Sequence, residues 1–173
     1  DAPGPVDVHL FGEGNHRRLW DVLGAHLLTG GGCRFSVWAP NATGVRVIGD
    51  WNFWSGDDAV LEPVGDSGIW SGVARSARAA QRYKFLVDLA DGRRVERADP
   101  MARQAECPPA TASVITAPSG HDWSTASSSE ARAARNGGRL SIYEVHAHSW
   151  RHRDGRPLGY RDLAAELGAY AAE

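Results

Sequence analysis

The chain has 173 residues and a net charge of −2, from 19 basic and 21 acidic side chains. That length suffices for one well-buried domain of roughly 100–150 residues and the start of a second. The charge balance offers no electrostatic case for a nucleic-acid groove or an anionic membrane surface, so neutral partners are expected.

The N-terminal stretch DAPGPVDVHLFGEG lacks the basic start and long apolar run of a signal peptide. No segment approaches the run of about 18 apolar residues that a membrane-spanning helix needs, and a cytoplasmic chain is expected. His16–Leu23 places Leu19, Trp20 and Leu23 on one helical face behind Asn15, with Gly24 closing it, and predicts a short helix. From Cys33 the period changes to two. Phe35 and Val37 alternate with Arg34 and Ser36, and Val45 and Val47 flank Arg46, with Pro40, Asn41 and Gly44 between as turn residues. Further strands are predicted over 59–61, 68–74, 82–88, 93–96 and 112–116, separated by GDSG, DG and CPPAT. Short strands, frequent turn signals and no intervening helices predict an all-β, immunoglobulin-like antiparallel β-sandwich.

Residues 119–138 are rich in Ser, Ala and Gly and read as a linker, with a short helix possible at Ser129–Arg135. Beyond it, Leu140–Val145 (LSIYEV) is a near-continuous apolar run of the kind found in a strand covered on both faces. Tyr160–Ala172 then spaces Leu163, Leu167, Tyr170 and Ala171 as a helix does. One βα unit cannot close a parallel sheet, so it reads as the opening of a second, truncated domain.

Catalytic patterns are weak. Asp50, Asp57, Asp58, Glu62 and Asp66 fall in turns of the sandwich, where solvated acids are the ordinary case. His146 and His148 share a strand face without an evident third ligand, and the two cysteines, Cys33 and Cys107, lie far apart, so neither a metal site nor a disulfide framework is indicated. No serine occupies a strand-turn-helix elbow, and Thr29–Gly32 (TGGG) lacks the lysine of a phosphate loop. No catalytic residue, metal or cofactor is therefore assigned.

Binding fits better. In Arg82–Asp88 (RYKFLVD), Tyr83, Phe85 and Val87 take the core face and send Arg82, Lys84 and Leu86 outward. A pyranose offers an apolar C–H face for stacking and a rim of hydroxyls, which suits a flat ring beside a hydrogen-bonding cation. Trp54, at the mouth of the turn in IGDWNFWSG, supplies the ring and Lys84 the cation; Trp20, Trp38, Trp51 and Trp70 are assigned to core packing.

Several stretches together resemble the N-terminal part of bacterial 1,4-α-glucan (glycogen) branching enzymes: His9–His26, Phe35–Trp54, the RYKFLVD strand, Arg97–Ala102 (RADPMA), Pro109–Ile115 (PATASVI) and Ser141–Arg151 (SIYEVHAHSWR). The middle part alone is similar to family 48 carbohydrate-binding modules. The resemblance implies a lead-in with a short helix over 1–30, a β-sandwich module over 31–118, a linker over 119–138, and over 139–173 the first strand and helix of a truncated (β/α)₈ barrel of glycoside hydrolase family 13. It implies an enzyme that moves an α-1,4-glucan chain onto a 6-hydroxyl by retaining double displacement, with its catalytic carboxylates on later barrel strands, so this chain alone is expected to be inactive. Expected partners are α-1,4-glucan and the rest of that barrel. Trp54 and Lys84 match the glucan-contacting positions of glycogen-binding members.

The chain departs from the family pattern at three places. RRVERADP carries no second ring before the Asp-Pro pair, Trp51 and Ser55 replace a phenylalanine and an aspartate of the turn, and Ala147 and His148 replace the family's Leu-Gly. Two other readings stay open at this point: a free-standing, non-catalytic α-glucan-binding module, and a module with a purely structural role.

Overall fold

Period-two alternation becomes strand nearly everywhere it was read. In the computed structural model, which describes residues 2–117 and 142–172, the N-terminal unit, Asp1–Gly120, is compact by itself. It contains α1 (Pro5–Gly12), β1 (Gly24–Leu27), β2 (Cys33–Trp38), β3 (Ala42–Gly49), β4 (Val60–Pro63), β5 (Ile69–Ala74), β6 (Arg82–Leu89), β7 (Arg94–Arg97) and the short β8 (Ser113–Val114).

All pairings are antiparallel. The order is β1-β2-β5-β4-β3-β6-β7, with β8 beside β6. β4 turns this sheet into a sandwich: Val60 and Leu61 pair with β3, while Glu62 and Pro63 pair with β5, so one strand hands the ladder from one layer to the other. The inward residues of both layers then share one core. Phe35 and Val37 from β2 meet Val45 and Val47 from β3 and Tyr83, Phe85 and Val87 from β6, as the alternation predicted. The Phe35 ring lies 5.0 Å from Tyr83, which in turn meets Phe85 edge-on at 6.0 Å, both favourable aromatic arrangements.

One buried polar group is built into this core. Asp99, from RADPMA, is 5% exposed and accepts the Tyr83 hydroxyl proton at 2.6 Å and the Met101 backbone N–H at 2.8 Å. Its own backbone N–H donates to Ser113 Oγ at 2.9 Å. Burial pushes the carboxyl above its ordinary range, against these hydrogen bonds, which pull it down. A raised folded-state value means that the native protein binds a proton more readily than the unfolded chain does. Asp99 therefore contributes more stability as pH falls through the window above its unfolded value of about 4. Asp99→Asn removes this titration and forces a donor toward Tyr83 or Met101, at a cost of about 1–3 kcal/mol. The stability gap between parent and variant is expected to widen on acidification from pH 6 to 4. A gap that stays constant or narrows in urea unfolding at those pH values contradicts the assignment.

Three expectations are corrected. The N-terminal helix occupies Pro5–Gly12 rather than His16–Leu23, with proline in its first turn and the Asp7 carboxylate accepting the Gly4 N–H at 2.8 Å. Leu19–Asp21 forms only a 3-10 turn, because Val22 and Leu23 turn inward against Ile69 in a second small cluster, and β1 starts at Gly24. β1 itself falls in the segment read as lead-in. Trp38 and Trp20 are not core: Val37 takes the inward position, so strand parity sends Trp38 outward, where it is 54% exposed with the Phe11 ring against its edge. Trp70 and Trp51 do pack on the core.

The second unit, His121–Glu173, is described from residue 142. The linker helix considered at Ser129–Arg135 lies outside the described residues. No strand forms over 142–146, where the first barrel strand was expected, and Ile142 is 82% exposed. An apolar strand of this kind is stable only between neighbours that pair with both edges, and the described residues of the unit supply none. What forms instead is a hairpin, β9 (His152–Arg153) and β10 (Arg156–Pro157), closed by Asp154 and Gly155, both at positive φ, as a two-residue Asp-Gly turn favours. The predicted helix is present as α2 (Tyr160–Ala172). Trp150 donates to the Tyr143 hydroxyl at 2.9 Å, Tyr170 packs beside both rings, and Glu166 receives Arg151 and Arg153.

Candidate functional site

The segment after β3 is a turn held from beneath by one amide. Asn52 is buried, accepts the Gly49 N–H at 2.9 Å and donates to the Val47 carbonyl and to Asp58, both at 2.9 Å. Ser55 bonds back to the Asn52 carbonyl through its backbone N–H at 3.0 Å and its hydroxyl at 2.9 Å, and the Trp54 N–H reaches the Gly49 carbonyl at 3.1 Å. Inside the turn, Trp51 stacks on Phe35 with centroids 5.5 Å apart and planes at 20°. Its indole nitrogen is buried without a hydrogen-bond partner among the described residues.

Outside lie the other two rings. Trp54 is half-buried. Three N–H groups of Arg82 converge on the Asp50 carboxylate at 2.8–3.1 Å and hold it below the ordinary carboxylate range, and the Trp54 side chain adds to the effect. Phe53 is 92% exposed. Both residues are left-handed, at φ 53° and 61°, a conformation that bulky L-residues seldom adopt.

Lys84 is outward as predicted. Ile48 of β3 is its cross-strand partner, so the turn that starts at Gly49 begins beside it. Its ammonium is not free: Nζ donates to Glu96 Oε2 at 3.0 Å. β7 pairs Val95 with Val87 and Glu96 with Leu86, which directs Val95 to the core and Glu96 outward. β7 thus presents a carboxylate, and no ring, on its outward face beside Lys84. Among the described residues one of the three ammonium donors is engaged and two remain. Lys84 and Glu96 lie together on the outward face of β6 and β7, and Trp54 lies in the turn that begins at Gly49, next along the chain from Ile48, the cross-strand partner of Lys84.

The other polar candidates are engaged within the fold or stand in pairs. Asp50 is taken by Arg82 and Asp58 by Asn52. His146 and His148 have ring centroids 6.1 Å apart, and His146 Nδ1 bonds Ser149 at 2.7 Å. Among the described residues no group of three metal-ligating side chains gathers, and no helix is long and apolar enough to cross a membrane. An apolar groove of about 390 Å³ opens beside Trp38, lined by Val37, Phe85, Val87, Leu89 and Val95. It offers few hydrogen-bonding groups for hydroxyls, unlike the Trp54 face.

The sequence gives Phe53 no outward direction and does not single out Glu96. For Glu96 the sequence offers only the alternation with Val95 within its own strand; which of the two faces outward is set by the register of β7 on β6. For Phe53 there is no such signal, because parity ends where the strand ends.

Residues 22–102 match the family Carbohydrate-binding module 48 (Isoamylase N-terminal domain). The chain is 48% identical over 98% of its length to the 1,4-alpha-glucan branching enzyme GlgB of Corynebacterium jeikeium and 47% identical over 96% to that of Nocardia farcinica. It spans 23% of each of those proteins. Likeness to solved structures is looser: a pullulanase from Bacillus subtilis, complexed with maltose, gives a TM-score of 0.48 at 23% identity, over 58% of this chain and 14% of that one. The sequence match therefore carries the comparison: over nearly its whole length the chain is similar to part of the 1,4-alpha-glucan branching enzymes, and residues 22–102 bear the match to carbohydrate-binding module 48.

Proposed function

We propose that this chain is the module-bearing part of a cytoplasmic enzyme that cleaves α-1,4-glucan and transfers the chain to a 6-hydroxyl, and that its own task is to hold α-glucan on the Trp54 face. In this reading the catalytic carboxylates lie outside the chain, and the purified 173 residues have no branching activity. Residues 139–173 open the catalytic barrel, and the run Leu140–Val145 pairs as its first strand when the neighbouring strands are present.

The observation that carries the binding role is a half-buried indole on a rigid turn, with a lysine outward on the adjoining strand. Trp54 stacks on the C–H face of a glucose unit while the two unengaged Lys84 donors reach its hydroxyls. Glu96 orders the lysine and presents an acceptor beside it. The site is shallow, and few atoms are desolvated, so a Kd on the order of millimolar is expected for maltoheptaose. Isothermal titration of the chain with maltoheptaose tests this. Trp54→Ala is expected to weaken binding about tenfold, the loss of one stacked ring and its buried area, and Lys84→Met severalfold. A Trp54→Ala protein that binds as the parent does refutes the site, and the module is then a packing element only.

A further inference from the structure

The turn that presents Trp54 also presents a ring to which nothing in the family pattern gives a role. Phe53 is 92% exposed, although a phenyl ring gains by burial. It is not exposed through looseness: the turn is bonded at Gly49, Val47, Asp58 and Ser55 through the buried Asn52. It is also left-handed, as is Trp54 next to it. Consecutive aromatic residues in that region are strained, and strain maintained by the surrounding bonds is characteristic of functional segments. Exposure and strain are independent costs at the same residue.

On the reading that glucan binds at Trp54, we infer that Phe53 is a second apolar contact for the same α-glucan chain. It takes the C–H face of a neighbouring glucose unit and serves in place of the ring that β7 lacks, where Glu96 stands. Adjacent Cα atoms are about 3.8 Å apart, so both rings project from one point of a rigid support. A polymer of identical units offers its apolar face repeatedly, whereas a short sugar can satisfy only one ring. Phe53 then discriminates by chain length: it strengthens binding of a long malto-oligosaccharide and leaves maltose unaffected. Because the turn is already ordered, little conformational entropy is lost on contact.

The test uses the 173-residue chain, with Phe53→Asn and Phe53→Gly, both of which tolerate the left-handed region. Melting temperature and Kd for maltose and maltoheptaose are measured for parent, both variants and Trp54→Ala. Relief of strain is expected to leave the melting temperature unchanged or raise it by about 2–4 °C. The Kd for maltoheptaose is expected to rise roughly 3–10-fold, the worth of one aromatic contact, while that for maltose stays at the parent value. A variant that binds maltoheptaose as the parent does overturns the inference, and so does a fall in melting temperature of several degrees, which would make Phe53 a structural residue. If Trp54→Ala loses binding and the Phe53 variants do not, only this inference fails. If Trp54→Ala also binds as the parent does, the glucan site itself is misplaced.

Discussion

Tyr83→Ala is expected to lower the stability of the N-terminal unit by about 3–5 kcal/mol, the cost of emptying an aromatic site in a closed core. Tyr83 is fully buried, with Phe35 at 5.0 Å and Phe85 at 6.0 Å. Its hydroxyl is also one of the donors that keep Asp99 satisfied. Truncation therefore leaves a cavity between the two layers and a buried carboxylate short of a partner. Tyr83→Phe separates the two contributions: it keeps the ring and removes only the hydroxyl, at about 1–3 kcal/mol. A loss of this size is a large share of the 5–15 kcal/mol that ordinary domains possess. Urea unfolding followed by tryptophan fluorescence measures it. A Tyr83→Ala midpoint within about 1 kcal/mol of the parent would mean that the two layers do not share the Phe35–Tyr83–Phe85 cluster.

Gly49→Ala is expected to damage both fold and site. The backbone at Gly49 is extended, so conformation permits any residue; space does not. A Cβ there meets the Trp51 ring and comes within 2.5 Å of the Arg82 carbonyl, closer than real contacts allow. The Arg82 obstacle is backbone in β6, and the Trp51 ring is wedged on Phe35, so neither yields cheaply. Overpacking of this kind costs about 1–3 kcal/mol. The displacement enters at the residue whose N–H holds Asn52 and whose carbonyl holds Trp54. Loss of maltoheptaose binding is expected alongside the loss of stability, with an effect comparable to Trp54→Ala although no glucan-contacting side chain has changed. A Gly49→Ala protein with parent-like stability and parent-like affinity would refute this account of the turn.

The strands were legible because their pattern is local and periodic. Phe35 and Val37, Val45 and Val47, and Tyr83, Phe85 and Val87 are buried, as alternation requires of the face turned to the core, although Arg34 and Ser36 of β2 and Ile48 of β3, on the opposite face, are covered as well. The helical elements were less so. HRRLWDVL has helical spacing, yet it is a 3-10 turn because Val22 and Leu23 are drawn into a cluster with Ile69. PVDVHLFG shows little amphipathic pattern and is helical, started by a proline and a capping Asp7. LSIYEV has the composition of a buried strand, but composition cannot supply the neighbouring strands that make one.

In the nine residues IGDWNFWSG the sequence by itself determined the identity of the module and the existence of a turn after a strand. It also put three rings there. Continued alternation would have paired Trp51 with Phe53 on one side and left Trp54 on the other. The tertiary structure decided otherwise: Trp51 is packed on Phe35, and Phe53 and Trp54 both face outward to different degrees. Parity holds only along regular strand. After Gly49 the chain passes through a 3-10 turn and two left-handed residues, and each of those rotates the next side chain by an amount that no period of two can carry. The local bonds of Asn52 to Gly49, Val47 and Asp58 hold that path, and the bonds of Asp50 to Arg82 and the approach of β6, which come from residues distant in sequence, select it. The same holds for Lys84, whose outward direction follows from its strand, whereas its pairing with Glu96 depends on how β7 registers against β6.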